Sequence, residues 1–450
     1  MQAGGAAALV ALAVLCGTAS AQAEDSETSA NLLNVSGSLR LRQEAIDGQI
    51  RRGFNADDTL TSVRTRLLGR LGTERVFAEA ELYDSRAFFY DEGTPVGTGE
   101  VNTLELVQAS LNGKFETEGG MPLSLQAGRF TLNLGSRRLV ASDDYRNTTN
   151  GYTGLRLDAG HAAGSRLTLF HVMPQERLPD DRQGIEAGRR KTDRTSSETV
   201  LWGGIGSVPA GLPGARIEVT AIGFREKDSE ARETRDRRLD TVGLRYFREP
   251  APGRLDFDAE LYLQSGTASE SISQAADRLN VEASFLHAET GYQWEGGWRP
   301  RLAAEFDLAT GDRPGEDYQR FDTLYGMRRA EIAPAGLYNA VGRANLAAPG
   351  LRLEAAPDVH SDVFIAWRGL WLDSVTDAFS TSGQRDQTGM AGNSAGHQID
   401  ARYRRWLVPE QLRLEMNTVV LLHGEFLRDR IPENDSHRTV YGGIDLTWVF

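Results

Sequence analysis

The sequence predicts an all-β protein: one transmembrane antiparallel β-barrel of about eighteen strands, with short periplasmic turns and long extracellular loops. Three observations carry that expectation. Residues alternate apolar and polar along eighteen segments, the connections between them alternate short and long, and the last twelve residues, TVYGGIDLTWVF, form an aromatic-rich strand ending at Phe450. In that strand Val440, Gly442, Ile444, Leu446, Trp448 and Phe450 share one face, while Thr439, Tyr441, Gly443, Asp445 and Thr447 share the other. The ends of soluble chains are usually frayed and polar. An apolar face closing in Trp and Phe suits a membrane wall with an aromatic girdle.

At the front, Ala6 to Leu15 form an apolar run, followed by the small-residue site Ala21-Gln22-Ala23 and acidic Glu24 and Asp25. This predicts a secretory signal over residues 1–23, although no Lys or Arg precedes the run. Ten apolar residues are too few to cross a bilayer as a helix. Residues 24–450 are expected to form a single barrel domain. Cys16, the only cysteine, leaves with the signal, so thiol chemistry and disulfides are excluded from the mature chain. The net charge of -13 argues against nucleic acid as a partner.

The alternating segments run over 35–46, 61–71, 74–85, 102–115, 122–132 and 152–159 in the first third of the chain. They continue over 165–172, 198–208, 215–225, 237–247, 254–265 and 279–291, then over 300–310, 341–354, 359–372, 396–405, 410–424 and 438–450. Short turns such as 209–214, 249–253 and 355–358 alternate with long polar loops such as 173–197, 311–340 and 373–395. A soluble sandwich has no reason for that rhythm; an outer-membrane barrel does.

Charge then orients each strand. A charged side chain facing lipid at mid-depth costs about 2–4 kcal/mol, so charged faces must line the lumen. Arg40, Arg42 and Glu44 oppose Val35, Leu39 and Leu41; Arg64, Arg66 and Arg70 oppose Val63, Thr65 and Leu67. Arg156 and Asp158, Arg352 and Glu354, and Arg368 follow the same rule, as do Gln398, Asp400, Arg402 and Arg404 on one strand. Asp256, Asp258, Glu260, Glu305 and Asp307 make two middle strands acidic. The lumen is therefore expected to be basic where first and last strands meet and acidic opposite.

Catalytic constellations are missing. The seven His have no metal-ligand spacing, and no P-loop or nucleophile elbow is present. No catalytic residue, metal or cofactor is expected. The row Asp256, Asp258, Glu260 is the best enzymatic candidate, since carboxylates two apart on a strand lie about 6–7 Å apart, near glycosidase separations; acidic lumen lining explains it more simply. Stacked inward arginines instead offer a planar fork to successive carboxylates of a polyanion.

Two stretches go further. The run QAGRFTLNLGSRRLVASDDYRNTTNGYTGLRL contains Gly128-Arg129, Arg138-Leu139, Asp144-Tyr145-Arg146-Asn147 and Gly154-Leu155-Arg156-Leu157, and it resembles the alginate-export family of outer-membrane porins. The stretch from FDTLYGMRRAEIAPAGLYNAVGRANL to LRLEMNTVVLLHGEF looks like the second half of the same family. The resemblance implies a monomeric eighteen-stranded barrel whose electropositive constriction passes an anionic saccharide. Carried over, the constriction residues are Arg129, Arg138, Asp144, Arg146, Arg156, Arg343, Arg352, Arg368, Arg402 and Arg404, with Asp158 and Asp400 as partners. Arg129 shares the parity of apolar Leu123 and Leu125, so only a bulge or rim position would bring it to the pore. Loop 311–340, with Tyr325, Arg328 and Arg329, is a candidate lid or plug. The other expected partners are outer-membrane lipid, the barrel-assembly machinery acting on the C-terminal strand, and periplasmic export proteins. The alternatives are a general or uptake porin for small anions and a secreted β-rich enzyme that degrades polysaccharide.

Overall fold

A computed structural model describes residues 32–228, 232–273, 275–315, 317–328 and 331–450. The expected signal over residues 1–23 and Arg329 lie outside these. The first half of the wall is β1 (Leu33–Asp47), β2 (Asp58–Gly72), β3 (Val76–Phe88), β4 (Asn102–Glu116), β5 (Pro122–Phe130), β6 (Tyr152–Gly160) and β7 (Arg166–Glu176), then β9 (Thr199–Pro209) and β10 (Ala215–Glu226). It continues with β11 (Arg238–Arg248), β12 (Arg254–Ser269), β13 (Arg278–Gln293), β14 (Arg301–Ala309), β16 (Leu346–Asp358), β17 (Ser361–Trp371), β18 (Ser394–Val408), β19 (Leu412–His423) and β20 (Arg438–Val449). Two-residue strands β8 (Arg194–Thr195) and β15 (Asp317–Tyr318) add to β7 and β13.

Each wall strand pairs antiparallel with the next, and β20 returns to β1 in a register running from Ser38 opposite Val449 to Asp47 opposite Val440. Eighteen strands thus close on themselves, and every predicted segment coincides with one of them. Closure satisfies all backbone donors and acceptors within the wall, which lipid cannot do. At the seam Phe450 lies across Gly37: a Cβ there would stand 2.6 Å from the ring. Gly37 and Phe450 also exchange backbone hydrogen bonds of 2.8 and 3.1 Å.

Burial alternates as the charge pattern requires. Leu41, Val219, Leu351 and Ile444 point outward and are about half exposed, while Arg40, Arg42, Asp256 and Arg368 point inward and are buried. Turns such as 73–75, 359–360 and 409–411 define the periplasmic end; loops 131–151, 177–198, 310–345 and 372–393 define the other. Two of these loops fold into the lumen. In one, Leu132, Leu139, Val140 and Ala141 are buried; in the other, Ile332, Ala333, Leu337, Tyr338 and Val341 are. Tyr338 donates to Gln398 on β18 at 2.7 Å, which ties the second loop to the wall two strands beyond β16. The loops are stitched by a parallel bridge between Val140 and Tyr325 and by hydrogen bonds from Tyr325 to Leu139 and from Met327 to Arg137.

Candidate functional site

The two inward loops form a partition across the lumen, and arginines of the seam hold it by its backbone. Arg40 donates to the carbonyls of Asp144, Tyr145 and Arg146 at 3.3, 3.2 and 2.8 Å and to Asn147 Oδ1 at 3.3 Å. Arg64 donates to the carbonyls of Asp144 and Arg146 at 3.0 and 2.9 Å. Arg42 donates to the Tyr145 carbonyl at 2.8 Å, and its guanidinium stacks 3.9 Å from the centre of the Tyr145 ring. Asn147 locks the far side, donating to the carbonyls of Val63, Arg86 and Glu100. A loop buried in a barrel must find partners for its polar backbone, and the inward arginines supply them.

On the periplasmic side of this partition lies a chamber of about 540 Å³. Arg40, Arg42, Arg64, Arg66, Arg137, Arg402, Arg404 and Arg413 line it, against the carboxylates of Glu81, Asp144, Glu415 and Asp445. Eight guanidinium groups therefore face four acids, although the chain as a whole carries -13. Asp445 chelates Arg42, one oxygen accepting at 3.0 Å, so the predicted meeting of closing strand and first strand is an ion pair. Glu81 takes Arg66 at 2.7 Å, and Asp362 takes Arg402 and Arg404 at 2.6 and 2.9 Å. Arg40 and Arg64 have no carboxylate partner among the described residues, and their Nε atoms are buried without any partner.

The other arginines singled out from sequence are committed elsewhere. Arg138, carried by the first inward loop, crosses to the acidic arc and meets Glu260, Asp258 and Glu331 at 2.5, 3.0 and 2.7 Å. Arg343 joins Glu331, and Arg368 joins Glu305. Arg352 pairs with Glu354 at 2.7 Å and Arg156 with Asp158 at 2.8 Å. Asp400 is buried on the inward face of β18, next to the strand that carries Arg368. Arg146 pairs with Asp143 at 2.6 Å, and its side chain lies beyond the partition from the chamber. Arg129 keeps its outward parity: it sits at the rim, bound to Glu105 at 2.9 Å and to the carbonyl of Asp193 in loop 177–198 at 3.2 Å.

Each carboxylate of the row that suggested an enzyme has an arginine. Arg301 holds Asp256, Arg245 holds Asp258 at 2.7 Å, and Arg138 holds Glu260. Acids neutralised in this way line a lumen rather than exchange protons. Asp58, at the loop end of β2, is buried and accepts from the backbone of Thr59 and Asp91. No cluster suited to a metal ion occurs among the described residues.

Two chamber arginines escaped the sequence reading. Arg413 could have been found, because it shares the inward face of β19 with Glu415 and Asn417, opposite Leu414 and Met416. Arg137 could not; it reaches the chamber only because its loop turns inward.

Comparison with known proteins agrees with this architecture. The family model for alginate export matches residues 31–441. Among solved structures, OccK8 (OprE) of Pseudomonas aeruginosa superposes with a TM-score of 0.58 at 10% identity, covering 93% of this chain and 98% of that one. OccD3 (OpdP) of the same organism gives 0.57 at 9% identity, with coverage of 93% and 91%. OccK2 (OpdF), solved in complex with glucuronate, gives 0.54 at 12% identity, with coverage of 93% and 96%. No curated protein matches the chain. The matched family and the closed eighteen-stranded wall point to a transport channel rather than an enzyme: this chain belongs to the alginate export family and is an outer-membrane porin of the bacterial envelope.

Proposed function

We propose that the barrel conducts an anionic saccharide passively through its arginine-lined lumen, with no covalent step and no cofactor. The observation that carries this reading is the pair Arg40 and Arg64, two guanidinium groups without carboxylate partners at the wall of a chamber with twice as many arginines as acids. Their hydrogen bonds go to neutral carbonyls, and a carboxylate is a stronger acceptor for a guanidinium than an amide oxygen. Arg42, Arg66, Arg402 and Arg404, each already engaged by a nearby acid, would pass a uronate along with weaker grip, as conduction requires. A concentration gradient or periplasmic export proteins would supply the drive. The signal over residues 1–23, recognition of the closing strand by the assembly machinery, and a monomeric state belong to the same proposal. One observation favours a second reading: a neighbour of the same fold was solved with glucuronate, which suits an uptake porin for small sugar acids.

The test is a planar bilayer recording. Purified protein is expected to prefer anions and to be blocked by uronate oligomers; cation preference without block overturns the proposal. If glucuronate permeates freely while oligomers neither block nor pass, the uptake reading replaces it.

A further inference from the structure

We infer that the lumen holds a second subsite for the carboxylate of an acidic saccharide, on the extracellular side of the partition, built by Arg177 and Arg328 with Gln175. The inference rests on the conduction reading above and adds a separate place where the saccharide stops.

Neighbouring residues of the partition face opposite chambers. Asp144 and Tyr145 line the periplasmic chamber, whereas Arg146 lines a second cavity of about 590 Å³; Met327 faces the first and Arg328 the second. The second cavity again holds arginines satisfied by neutral groups only. Arg177 donates to the carbonyls of Thr98 and Thr149 at 2.9 and 3.2 Å and to Asn150 Oδ1 at 2.8 Å. Arg328 donates to Asn339 Oδ1 and, at 3.4 Å, to Thr381 Oγ1. Neither has a carboxylate partner among the described residues. Of the acids lining the cavity, Glu176 is occupied by Arg194 and Arg232, while Asp180 and Glu233 are exposed.

A second observation points to a ligand. Gln175 is more than nine-tenths buried, lines this cavity, and its Oε1 has no hydrogen-bond partner. An unpaired buried acceptor is costly and wants a donor. A saccharide hydroxyl is such a donor, on a sugar whose carboxylate Arg177 or Arg328, both lining the same cavity, would take. Tyr325 supplies an aromatic wall suited to a sugar ring's C–H face. Burial, with Arg146, Arg343 and Arg51 close by and Asp143 opposing them, pushes the Arg328 guanidinium down to about 10, so an anion placed there would stabilise its charged form.

Two subsites facing away from one another across a partition predict sidedness. The experiment adds glucuronate oligomers to one side of a bilayer at a time, with wild type, Arg328→Gln, and Arg177→Gln combined with Arg328→Gln. Block from the extracellular side is expected to weaken at least tenfold in the double variant and in part in Arg328→Gln, while block from the periplasmic side stays at the wild-type value. Heat-modifiable migration confirms folding; if the double variant fails it, Arg328→Gln decides, since among the described residues the Arg328 guanidinium hydrogen-bonds only to the side chains of Asn339 and Thr381. Unchanged extracellular block, or equal loss from both sides, overturns the second subsite. Absence of block from either side in wild type overturns the conduction reading itself, so the two failures are told apart.

Discussion

The seam arc of the lumen and the acidic arc opposite it are both rich in inward arginine, yet they do different things. Around β12 to β14 and β16, Arg301 is shared by Asp256, Glu289 and Glu354, and Arg138 of the inward loop by Asp258, Glu260 and Glu331, so each guanidinium is held by acids. On β1 and β2, Arg40 and Arg64 hold only carbonyl oxygens. Counting arginines therefore does not tell the two arcs apart; counting arginines without an acid does.

The largest expected effect lies in the balanced arc. Arg301→Ala strands Asp256 and Glu289 and leaves Glu354 to Arg352 alone, and breaking a buried pair costs about 3–5 kcal/mol. The midpoint of the heat-modifiable gel shift, or of urea unfolding in detergent, is expected to fall sharply. A midpoint equal to wild type would mean that this arc is not held by its ion pairs.

The seam arc is expected to respond in conduction instead. Arg40→Gln with Arg64→Gln should keep the barrel folded and lower both anion preference and oligomer block by roughly tenfold, the loss of about 1.4 kcal/mol of binding. Raising salt from 0.1 to 1 M, which shortens screening from about 10 to about 3 Å, should imitate part of that loss. Wild-type block that ignores both changes would remove the distinction between the arcs.

A smaller change sharpens the comparison from the other direction. Asp445→Asn removes the acid that occupies Arg42 and so makes a third unmatched guanidinium at the seam. Block by uronate oligomers is expected to strengthen by roughly threefold, the scale of one partly screened pair. Weaker block would show that Asp445 serves to orient Arg42 rather than to restrain it.

The smallest effect concerns the rim, where loop 177–198 docks on Arg129. Burial pushes the Asp193 carboxyl up to about 6, against hydrogen bonds from Leu178 and Asn102 that favour its charge. A raised carboxyl binds its proton more tightly when the loop is docked. The docked loop is thus fully favoured below about pH 4, and that contribution is lost as pH rises through about 6. Amide protection over this loop, corrected for intrinsic exchange, should drop between pH 5 and 7. Asp193→Asn should flatten the change; a loop equally protected across that window would rule the coupling out.

Much of the wall was legible from residues alone. Alternation is a property of adjacent residues, so Leu41 against Arg40 and Arg42, or Ile399 against Gln398 and Asp400, assigns a face without knowing the neighbour. Arg129 shows the limit of the same rule: its parity alone turns it away from the lumen, and it stands at the rim beside buried Glu105. Arg413 was readable by that rule and overlooked. Arg137 and Arg177 were not readable, since they sit in loops where no period applies.

What the sequence by itself determined is the barrel, the inward direction of its charges and its place in the outer membrane, because each follows from local periodicity and from the price of facing lipid; the count of eighteen strands drew on the family resemblance as well. What only the tertiary structure decided is which charges remain unmatched. Arg42 finds Asp445 across the seam, and Arg138 finds Glu260 across the lumen, more than a hundred residues away in each case. Pairing in a closed barrel depends on which strands and loops meet, and that is settled when the sheet closes and the two loops fold inward.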